Sequence, residues 1–311
     1  MRVLVTGGAG FIGSFLCEKL LGEGYEVICL DNLSTGKKSN IGYLLDKPKF
    51  RFIKHDVTKP IDLKVDFIFH LASPASPVDY QKLPIETSMA NSLGTFNMLE
   101  LARKNDARFL LASTSEVYGD PIEHPQKEDY WGNVNPIGLR SCYDESKRFA
   151  ETLTMSFYRN YGLDVRIARI FNTFGPKMRT SDGRAIPNFV AQSLTGRPIT
   201  VYGNGKQTRS FCYISDMIDC LIKLMFKDNL SGEVVNLGNS EERTILSVAE
   251  LIKNMTNTNS EIIFKPLPEG DPTRRRPDIT RAMKLLGWRP ETDFTTGLEK
   301  TIKWFREDLK K

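Results

Sequence analysis

The sequence predicts an α/β fold, a doubly wound parallel sheet with a smaller, interleaved C-terminal domain. Short apolar runs alternate with helical patterns through the first half, which is typical of βαβ units with right-handed crossovers. After Pro176 the pattern is less regular, and glycine and proline interrupt it repeatedly. We therefore expect one domain over residues 1–173, with a returning segment near 211–240, and a second over 174–311.

Each expected element follows from its apolar spacing. The strands expected in the first half are Arg2–Thr6, Glu26–Asp31, Phe50–Asp56, Phe67–His70, Arg108–Ser113 and Val165–Ile170. The helices expected between them are Phe11–Leu21, Ile85–Lys104 and Asp144–Tyr161. In the second half we expect the helices Ser215–Phe226, Ile245–Asn254 and Gly297–Asp308, and the returning strand Val234–Leu237.

The composition argues against several classes of protein. With 311 residues, 40% hydrophobic and 26% charged, the chain resembles an ordinary globular protein. The net charge is +5 without a run of basic residues, so no nucleic-acid partner is expected. Five cysteines without a CxxC and three histidines without ligand spacing predict no metal site. No stretch approaches the ~18 apolar residues of a membrane span, so a cytoplasmic protein is expected.

A glycine-rich turn follows the first predicted strand. Gly7, Gly10 and Gly13 are spaced three residues apart, between a strand and a helix whose N-terminus can bind pyrophosphate. Gly7 permits the tight turn, Gly10 the close backbone approach and Gly13 the contact between helix and sheet. An ordinary strand–helix turn is the alternative. The context favours a dinucleotide site in a Rossmann-type domain.

Asp31, at the end of the second predicted strand, selects between the two nicotinamide dinucleotides. Its carboxylate can accept hydrogen bonds from the adenosine ribose hydroxyls and would repel a 2′-phosphate. NAD is therefore the expected cofactor. Lys37 and Lys38 nearby leave NADP as a minor alternative.

A second pattern places a phenol and an ammonium together. Tyr143 and Lys147 lie one helical turn apart on the same face. Thr114, Ser115 and Glu116 end the fifth predicted strand, and the carboxyl ends of such strands line the ligand crevice. A YxxxK pair is often only structural. This pair gains weight because a strand that ends in polar residues at the expected crevice precedes it by some thirty positions.

This arrangement suits hydride chemistry at a carbon that bears a hydroxyl group. Tyrosine, with an ordinary pKa near ~10, is a poor base at neutral pH. Lys147 and an oxidised nicotinamide are both cationic, and both would favour the tyrosinate. Thr114 can hydrogen-bond the same reacting oxygen.

Longer motifs resemble the extended short-chain dehydrogenase/reductase family from Met1 almost to the C-terminus. They are the segments 70–77 (HLASPASP), 113–121 (STSEVYGDP), 135–138 (NPIG), 141–145 (SCYDE), 168–176 (ARIFNTFGP) and 182–184 (DGR). The resemblance implies tightly held NAD, a nucleotide-sugar substrate and a homodimer through helices near Ile85–Lys104 and Asp144–Tyr161.

Within the family, the chain looks most like the branch that decarboxylates UDP-glucuronate to UDP-xylose through a 4-keto intermediate, with internal recycling of the hydride on NAD. Leu139 and Ser146 depart from that pattern, where proline and glycine are expected. The 4,6-dehydratases of the family carry an aspartate where this chain has Ser115, and a serine is a poor proton donor for their reaction. The residues also leave open a 4-epimerase and a catalytically inactive, NAD-sensing regulator on the same fold.

The resemblance also implies roles for individual residues. The expected catalytic residues are Thr114, Ser115, Glu116, Tyr143 and Lys147. Glu116 either repels the substrate carboxylate or, if protonated, helps to deliver a proton. The expected cofactor-binding residues are Gly7, Gly10, Phe11, Ile12, Asp31, Asn32, Ser34, Thr35, Gly36, Asp56, Val57, Leu71, Ala72, Ser73, Tyr143 and Lys147.

The substrate is expected to contact both domains. The arginine fork suits diphosphate and carboxylate, which favours Arg184, Arg209 and Arg275, with the register among Arg274, Arg275 and Arg276 left open. By the same resemblance, Asn188, Val201 and Tyr202 are expected around the nucleobase; a core aromatic is the alternative for Tyr202. The full set expected to bind substrate is Pro74, Glu116, Asn172, Arg184, Asn188, Val201, Tyr202, Arg209 and Arg275.

Overall fold

The computed structural model describes residues 1–268 and 270–310, and its centre is a seven-stranded parallel sheet. The strands are β1 (Arg2–Thr6), β2 (Glu26–Asp31), β3 (Phe50–Lys54), β4 (Phe67–His70), β5 (Arg108–Thr114), β6 (Val165–Ile170) and β11 (Glu233–Leu237). Their order across the sheet is β11-β6-β5-β4-β1-β2-β3. The predicted α/β fold with a parallel sheet is confirmed.

Both faces of this sheet are buried, which explains the continuous apolar runs of its strands. In β1, Val3 and Val5 point into one hydrophobic cluster, and Leu4 points into the other. Helices α1 (Phe11–Gly22) and α7 (Ile214–Phe226) cover the first face. The second face packs against α4 (Thr95–Asn105) and α5 (Ser141–Tyr161).

The long helix expected over Ile85–Lys104 is continuous but not uniform. It consists of α3 (Pro84–Met89), a π-helical turn (Ala90–Gly94) and α4. A short helix, α2 (Pro77–Lys82), precedes it. Ser76 caps α2 by accepting a hydrogen bond from the backbone N–H of Asp79 at 3.2 Å, and Pro77 occupies the first helical position.

The remaining elements form the smaller lobe, built from short strands and helices. The helices are α6 (Ala185–Leu194), α8 (Ile245–Thr256), α9 (Thr280–Leu286) and α10 (Phe294–Asp308). The strands are β7 (Thr173–Phe174), β8 (Ile199–Tyr202), β9 (Thr208–Ser210), β10 (Cys212–Tyr213), β12 (Glu242–Thr244), β13 (Ile262–Lys265) and β14 (Arg274–Arg275). They pair as β10-β7, β12-β9-β14 and β13-β8.

The chain crosses between the lobes more than once. It leaves the main sheet after β6, builds part of the smaller lobe and returns as β11, which pairs with β6 from Glu233–Arg166 to Leu237–Ile170. The reversal of strand order lies between β1 and β4, where the carboxyl ends open a crevice. In the described part of the chain, no helix has the length and apolar character that crossing a bilayer requires.

Candidate active site

One cavity of about 770 Å³ runs from the glycine turn to β14, between the main sheet and the smaller lobe. All of the residues predicted to bind cofactor or substrate line it, with the single exception of Val201. Concave sites of this size are typical of small-molecule binding.

Val201 was predicted to line the nucleobase pocket, but it does not line this cavity. Its side chain is completely buried in the hydrophobic core. Successive side chains of a strand point to opposite faces, so in β8 Thr200 and Tyr202 line the cavity and Val201 points away from it.

The turn after β1 leaves space that side chains would fill. Gly7 has a φ of +69°, and a Cβ on Gly13 would lie 2.2 Å from the carbonyl oxygen of Gly7. Gly10 is the N-cap of α1 and has no side chain that could accept a hydrogen bond from the first turn. The start of the helix lines the cavity, so its first backbone N–H groups are available to a ligand there. A pyrophosphate fits this cradle, because backbone donors and the helix dipole both favour an anion there.

Replacing Gly13 with alanine is expected to destabilise the protein by about 1–3 kcal/mol, because the added methyl group overpacks against backbone. It is also expected to abolish dinucleotide binding. Thermal unfolding with and without NAD measures both effects. Gly22→Ala, in the same helix, is the matched control: a Cβ there would meet no described atom within 4 Å. A Gly13→Ala protein with unchanged melting temperature and NAD response would contradict the assignment.

Asp31 closes the far end of the cavity. One carboxylate oxygen accepts the N–H of Ala9 at 3.0 Å, and the other accepts the N–H of Leu33 at 2.7 Å. Burial raises the pKa of Asp31, and these two backbone hydrogen bonds oppose the rise. Each carboxylate oxygen retains a free lone pair for a ribose hydroxyl. Gly36 approaches this carboxylate so closely that a Cβ would lie 2.9 Å from Oδ2.

The remaining predicted cofactor residues lie along the same side of the crevice. Asp56 follows β3, and its carboxylate accepts hydrogen bonds from Asn32 and Thr58. The loop after β4 is tied to β1, because the Thr6 hydroxyl accepts the N–H groups of Leu71 and Ala72 at 3.1 and 3.2 Å. The other lining residues of this group are Phe11, Ile12, Ser34, Thr35, Val57 and Ser73.

Tyr143 and Lys147 face the centre of the cavity from α5. Burial raises the pKa of Tyr143. The neighbouring Thr114 hydroxyl and the Arg184 charge lower it, and the Glu116 charge raises it. Lys147 donates to the carbonyl oxygen of Ala112 at 2.8 Å, and its Nζ lies 5.9 Å from the centroid of the Tyr143 ring. The phenol is therefore protonated in this state, and its ionisation needs additional positive charge in the cavity.

The Lys147 ammonium group titrates within the pH range in which enzymes are usually assayed. Burial lowers its pKa to about 8, and attraction to Glu151 opposes the shift. Glu151 is itself fixed by Arg169 at 2.8 Å and by the Ser113 hydroxyl at 2.6 Å.

The pH profile of turnover should report this lysine. A lowered pKa means that the ammonium persists below about pH 8 and is lost above it, so kcat/KM should fall on the alkaline side, by at most about tenfold per pH unit. Glu151→Gln should move this alkaline limb to lower pH, because it removes the charge that favours the ammonium. Glu145→Gln, on the half-exposed side of the same helix, is the control. Identical limbs in all three proteins would exclude Lys147 as the titrating group.

Glu116 lies between two arginines. Its carboxylate accepts hydrogen bonds from Arg275 and Arg140. Burial alone would favour the neutral acid, but Arg275 and Arg140 outweigh it and lower the pKa of Glu116 to about 2. Glu116 is therefore an anion at every pH at which the protein would be assayed.

The predicted substrate arginines are held by protein carboxylates. Arg275 is buried and also donates to the Gly119 carbonyl oxygen at 3.2 Å. Arg209 contacts Asp271 at 3.0 Å, and Asp271 lies 3.6 Å from Arg140. Asp144 lies 4.0 Å from Arg140. Together these side chains form an arginine–carboxylate cluster, whose members are Glu116, Arg140, Asp144, Arg209, Asp271 and Arg275.

The third predicted arginine sits at the opposite wall. Arg184 makes a two-pronged contact with Asp182, at 2.5 and 2.8 Å, on the segment that leads into α6. Asn172, Asn188 and Pro74 line the cavity nearby, and so does Tyr202 at its outer end. Of Arg274, Arg275 and Arg276, Arg275 is the one that lines the cavity.

Among the cavity residues that were not predicted from the sequence, Arg140 and Tyr80 contact predicted catalytic residues. The first is Arg140, in the loop before α5; its spacing to Asp144, four residues on, is the available signal. The second is Tyr80, whose ring stacks on Tyr143 at 5.0 Å between centroids and 5° between planes. Its hydroxyl has no hydrogen-bond partner among the described residues. The Ser-Pro-x-Asp signature of a helix start at Ser76 could have placed it.

Comparison with known proteins agrees with this geometry. The family profile described as GDP-mannose 4,6 dehydratase matches residues 4–301. The chain is 55% identical to UDP-glucuronic acid decarboxylase 1 of Arabidopsis thaliana over 309 residues, 99% of this chain and 71% of that protein. It is 53% identical to UDP-glucuronic acid decarboxylase 1 of Danio rerio over 308 residues, 99% of this chain and 73% of the relative.

Among solved structures, the fold resembles UDP-glucuronic acid 4-epimerase from Bacillus cereus in complex with UDP-glucuronic acid and NAD. The TM-score is 0.89 and the identity 31%, over 99% of each chain. That enzyme holds a dinucleotide and a nucleotide sugar together in the same fold.

Proposed function

The chain belongs to the GDP-mannose 4,6-dehydratase family of extended short-chain dehydrogenases/reductases, and on this basis we propose that it converts UDP-glucuronate to UDP-xylose and CO2. The observation that carries the proposal is one cavity with two chemical centres. The Thr114, Tyr143 and Lys147 group suits removal and return of a hydride, and the arginine–carboxylate cluster beside it suits a sugar acid.

We propose NAD as the resident cofactor. The glycine cradle, the uncapped start of α1 and the buried Asp31 carboxylate fit its pyrophosphate and its adenosine ribose. When bound, NAD supplies a hydride acceptor at the sugar and additional positive charge near Tyr143. Lys147 would hold the nicotinamide ribose. The loop 71–73 would border the cofactor on the side opposite Lys147.

The protein's own groups then prepare the sugar for decarboxylation. The Tyr143 oxygen would accept the proton of the C4 hydroxyl, and the neighbouring Thr114 hydroxyl could hydrogen-bond the same reacting oxygen. Oxidation at C4 places a ketone β to the C5 carboxylate, and such an acid loses CO2 because the electrons flow into an enolate. The hydroxyls of Tyr143 and Thr114 can stabilise that enolate oxygen, where charge develops. C5 of the enolate would then take up a proton. Return of the hydride to C4, with Tyr143 giving its proton back to the C4 oxygen, would complete UDP-xylose without net oxidation.

The protonation state of Glu116 distinguishes between its two expected roles, repulsion of the substrate carboxylate and delivery of a proton. A carboxyl with a pKa of about 2 is a poor proton donor near neutral pH, so delivery of a proton from Glu116 is disfavoured. We propose that Glu116 instead holds Arg140 and Arg275 in place and presents negative charge to the substrate carboxylate. Relief of that repulsion on loss of CO2 would favour the transition state over the ground state.

The substrate itself is proposed to span the two lobes. The sugar would lie between Tyr143 and the arginine–carboxylate cluster, with the diphosphate near Asn172, Arg184 and Arg209. Asn188 and Tyr202 are the remaining candidates for the nucleobase. We accordingly assign residues 1–173, with the returning strand β11, mainly to the cofactor and residues 174–311 mainly to the nucleotide sugar.

We further propose a homodimer that buries the outer face of the two long helices. Large apolar side chains on that face are exposed in the single chain. They are Leu93 and Phe96 on the first helix, one turn apart, and Phe149 and Tyr161 on α5. Light scattering of the purified protein measures the mass, and Phe96→Glu should shift a dimer to monomer. A wild-type monomer would contradict this proposal.

Product analysis tests the enzyme function. Purified protein is incubated with catalytic NAD and, in parallel, with UDP-glucuronate and with dTDP-glucose. The expected result is UDP-xylose, identified by mass, from the first substrate only. A dehydrated sugar from dTDP-glucose would identify a 4,6-dehydratase, although Ser115 in place of the dehydratase acid argues against it. UDP-galacturonate from UDP-glucuronate would instead identify a 4-epimerase.

A further inference from the structure

Asp144 is a buried carboxyl that the proposed mechanism does not use. It occupies the first turn of α5, directly after Tyr143, and is 6% exposed. Its Oδ2 lies 4.0 Å from Nε of Arg140, beyond hydrogen-bond distance. Its Oδ1 is buried without a hydrogen-bond partner in the described part of the chain. A buried ionised carboxylate with an unpartnered oxygen is costly.

The other carboxylates near the cavity are paired more closely. Glu116 receives hydrogen bonds from two arginines, and Asp182 binds Arg184 with both oxygens. Asp271 contacts Arg209 at 3.0 Å and Arg140 at 3.6 Å. Asp144 is therefore the weakest-paired member of the cluster.

The surroundings of Asp144 determine how it titrates. Burial and then the Glu116 charge raise its pKa to about 7, while Arg140 and Arg275 oppose that rise and Glu145 adds to it. The titratable or charged groups that face it from its own helix and from the elements packed against it are Tyr80, Glu116, Arg140, Cys142, Tyr143, Glu145 and Arg275.

The charge of the arginine–carboxylate cluster is balanced before substrate binds. Three arginines face three carboxylates, so the cluster is neutral when all six groups are ionised. A sugar acid brings one more negative charge to this enclosed site, where charges interact strongly. The group that is easiest to neutralise is the one with the poorest pairing, which is Asp144.

We propose that Asp144 takes up a proton from solvent when a nucleotide sugar bearing a carboxylate binds beside Arg140 and Arg275. The only bond formed is O–H on the Asp144 carboxyl, and the proton balances the charge of the incoming sugar acid. A nucleotide sugar without a carboxylate binds with no such uptake. The proposal deepens the proposed function and rests on it for the identity of the sugar acid.

Calorimetric proton counting tests this coupling. The protein is loaded with NADH, so that UDP-glucuronate can bind without being oxidised, and titrated at pH 8 in two buffers of different ionisation enthalpy. We expect uptake approaching one proton with UDP-glucuronate and none with UDP-glucose, which carries the same diphosphate. Asp144→Asn should abolish the uptake.

The affinity should show the same linkage. Proton uptake favours binding at lower pH, so the Kd for UDP-glucuronate should be constant below about pH 7 and weaken above it, by at most about tenfold per pH unit. The Kd of Asp144→Asn should stay flat over that range. Glu145→Gln is the matched control. The half-exposed Glu145 carboxylate contributes to the pKa of Asp144 but is not the proposed proton acceptor, so the Kd of this variant should still depend on pH.

Two results would overturn the proposal: equal proton counts for the two nucleotide sugars in the wild-type protein, or undiminished uptake in a folded Asp144→Asn protein. The wild-type comparison needs no variant, so it decides the matter even if Asp144→Asn fails to fold. Failure of the proposed function has a different signature, because NAD-loaded protein would then release no CO2 from UDP-glucuronate.

Discussion

Tyr143→Phe is expected to lower kcat for CO2 release by roughly 10³-fold, within the range for loss of a positioned acid–base group. The phenylalanine ring retains the stacking on Tyr80, so the fold and the cavity should be preserved. Without the phenol oxygen, the C4 hydroxyl has no base, and oxidation of the sugar should fail as the first step. A single-turnover experiment that follows NADH absorbance with UDP-glucuronate measures this step directly.

The control for Tyr143→Phe is Tyr158→Phe, farther along the same helix and away from the cavity lining, which should leave turnover unchanged. NAD and UDP-glucuronate should still bind to Tyr143→Phe. Retention of more than about a tenth of wild-type kcat would show that another group removes the proton.

The second large effect is expected for Glu116→Gln. Removing this charge leaves Arg140 and Arg275 without their shared partner in a buried site, which typically costs about 3–5 kcal/mol of unfolding free energy. CO2 release should fall far more than NAD binding, because the cofactor cradle lies at the other end of the cavity. Urea unfolding and NAD titration measure the two quantities separately.

The pH dependence identifies the origin of this stability. The folded pKa of Glu116 is lowered from 4.5 to about 2, so its contribution is fully present above pH 4.5 and is lost as pH falls through 2. The shift corresponds to about 3 kcal/mol. The stability difference between wild type and Glu116→Gln should therefore shrink over that interval.

Glu100→Gln, which breaks an ion pair with Arg103 on the surface of α4, is the matched control and should change stability little. A Glu116→Gln protein as stable as the wild type would show that the two arginines find other partners. Equal losses of CO2 release and NAD binding would contradict the placement of Glu116 at the sugar.

The main sheet was predictable because its signal is local. Val3, Leu4 and Val5 are all buried, since helices cover both faces, and a continuous apolar run with flanking turns marks such a strand. The predicted ends of most elements agree within a few residues; β3 ends at Lys54 rather than Asp56, because the chain there turns into the cavity wall.

The smaller lobe was less predictable because its strands have two to four residues and pair across long sequence separations. Arg209 in β9 lies between Arg243 of β12 and Arg275 of β14, and no local pattern specifies those partners. Helix α6 was missed because Pro187 and the glycine at 183 resemble loop signals, although proline is tolerated in a first turn.

In the candidate site, too, local patterns were predictable from the sequence and contacts between distant segments were not. The glycine turn and the Tyr143–Lys147 pair each lie within one short segment, so their spacing is informative. Arg140 acquires its role only through contacts with Glu116 and Asp271, which come from distant elements. Composition and spacing cannot indicate that an arginine is shared in this way.

The return of β11 to the main sheet has a consequence for how the chain can be synthesised and divided. When the ribosome has released only the first 173 residues, β6 is a bare sheet edge, and such edges pair readily with other chains. The nascent cofactor half is complete only after residue 237 has emerged, when much of the smaller lobe is already outside. An expression fragment that stops at 173 should therefore aggregate, whereas the two halves co-produced with the cut placed beyond β11 should reassemble.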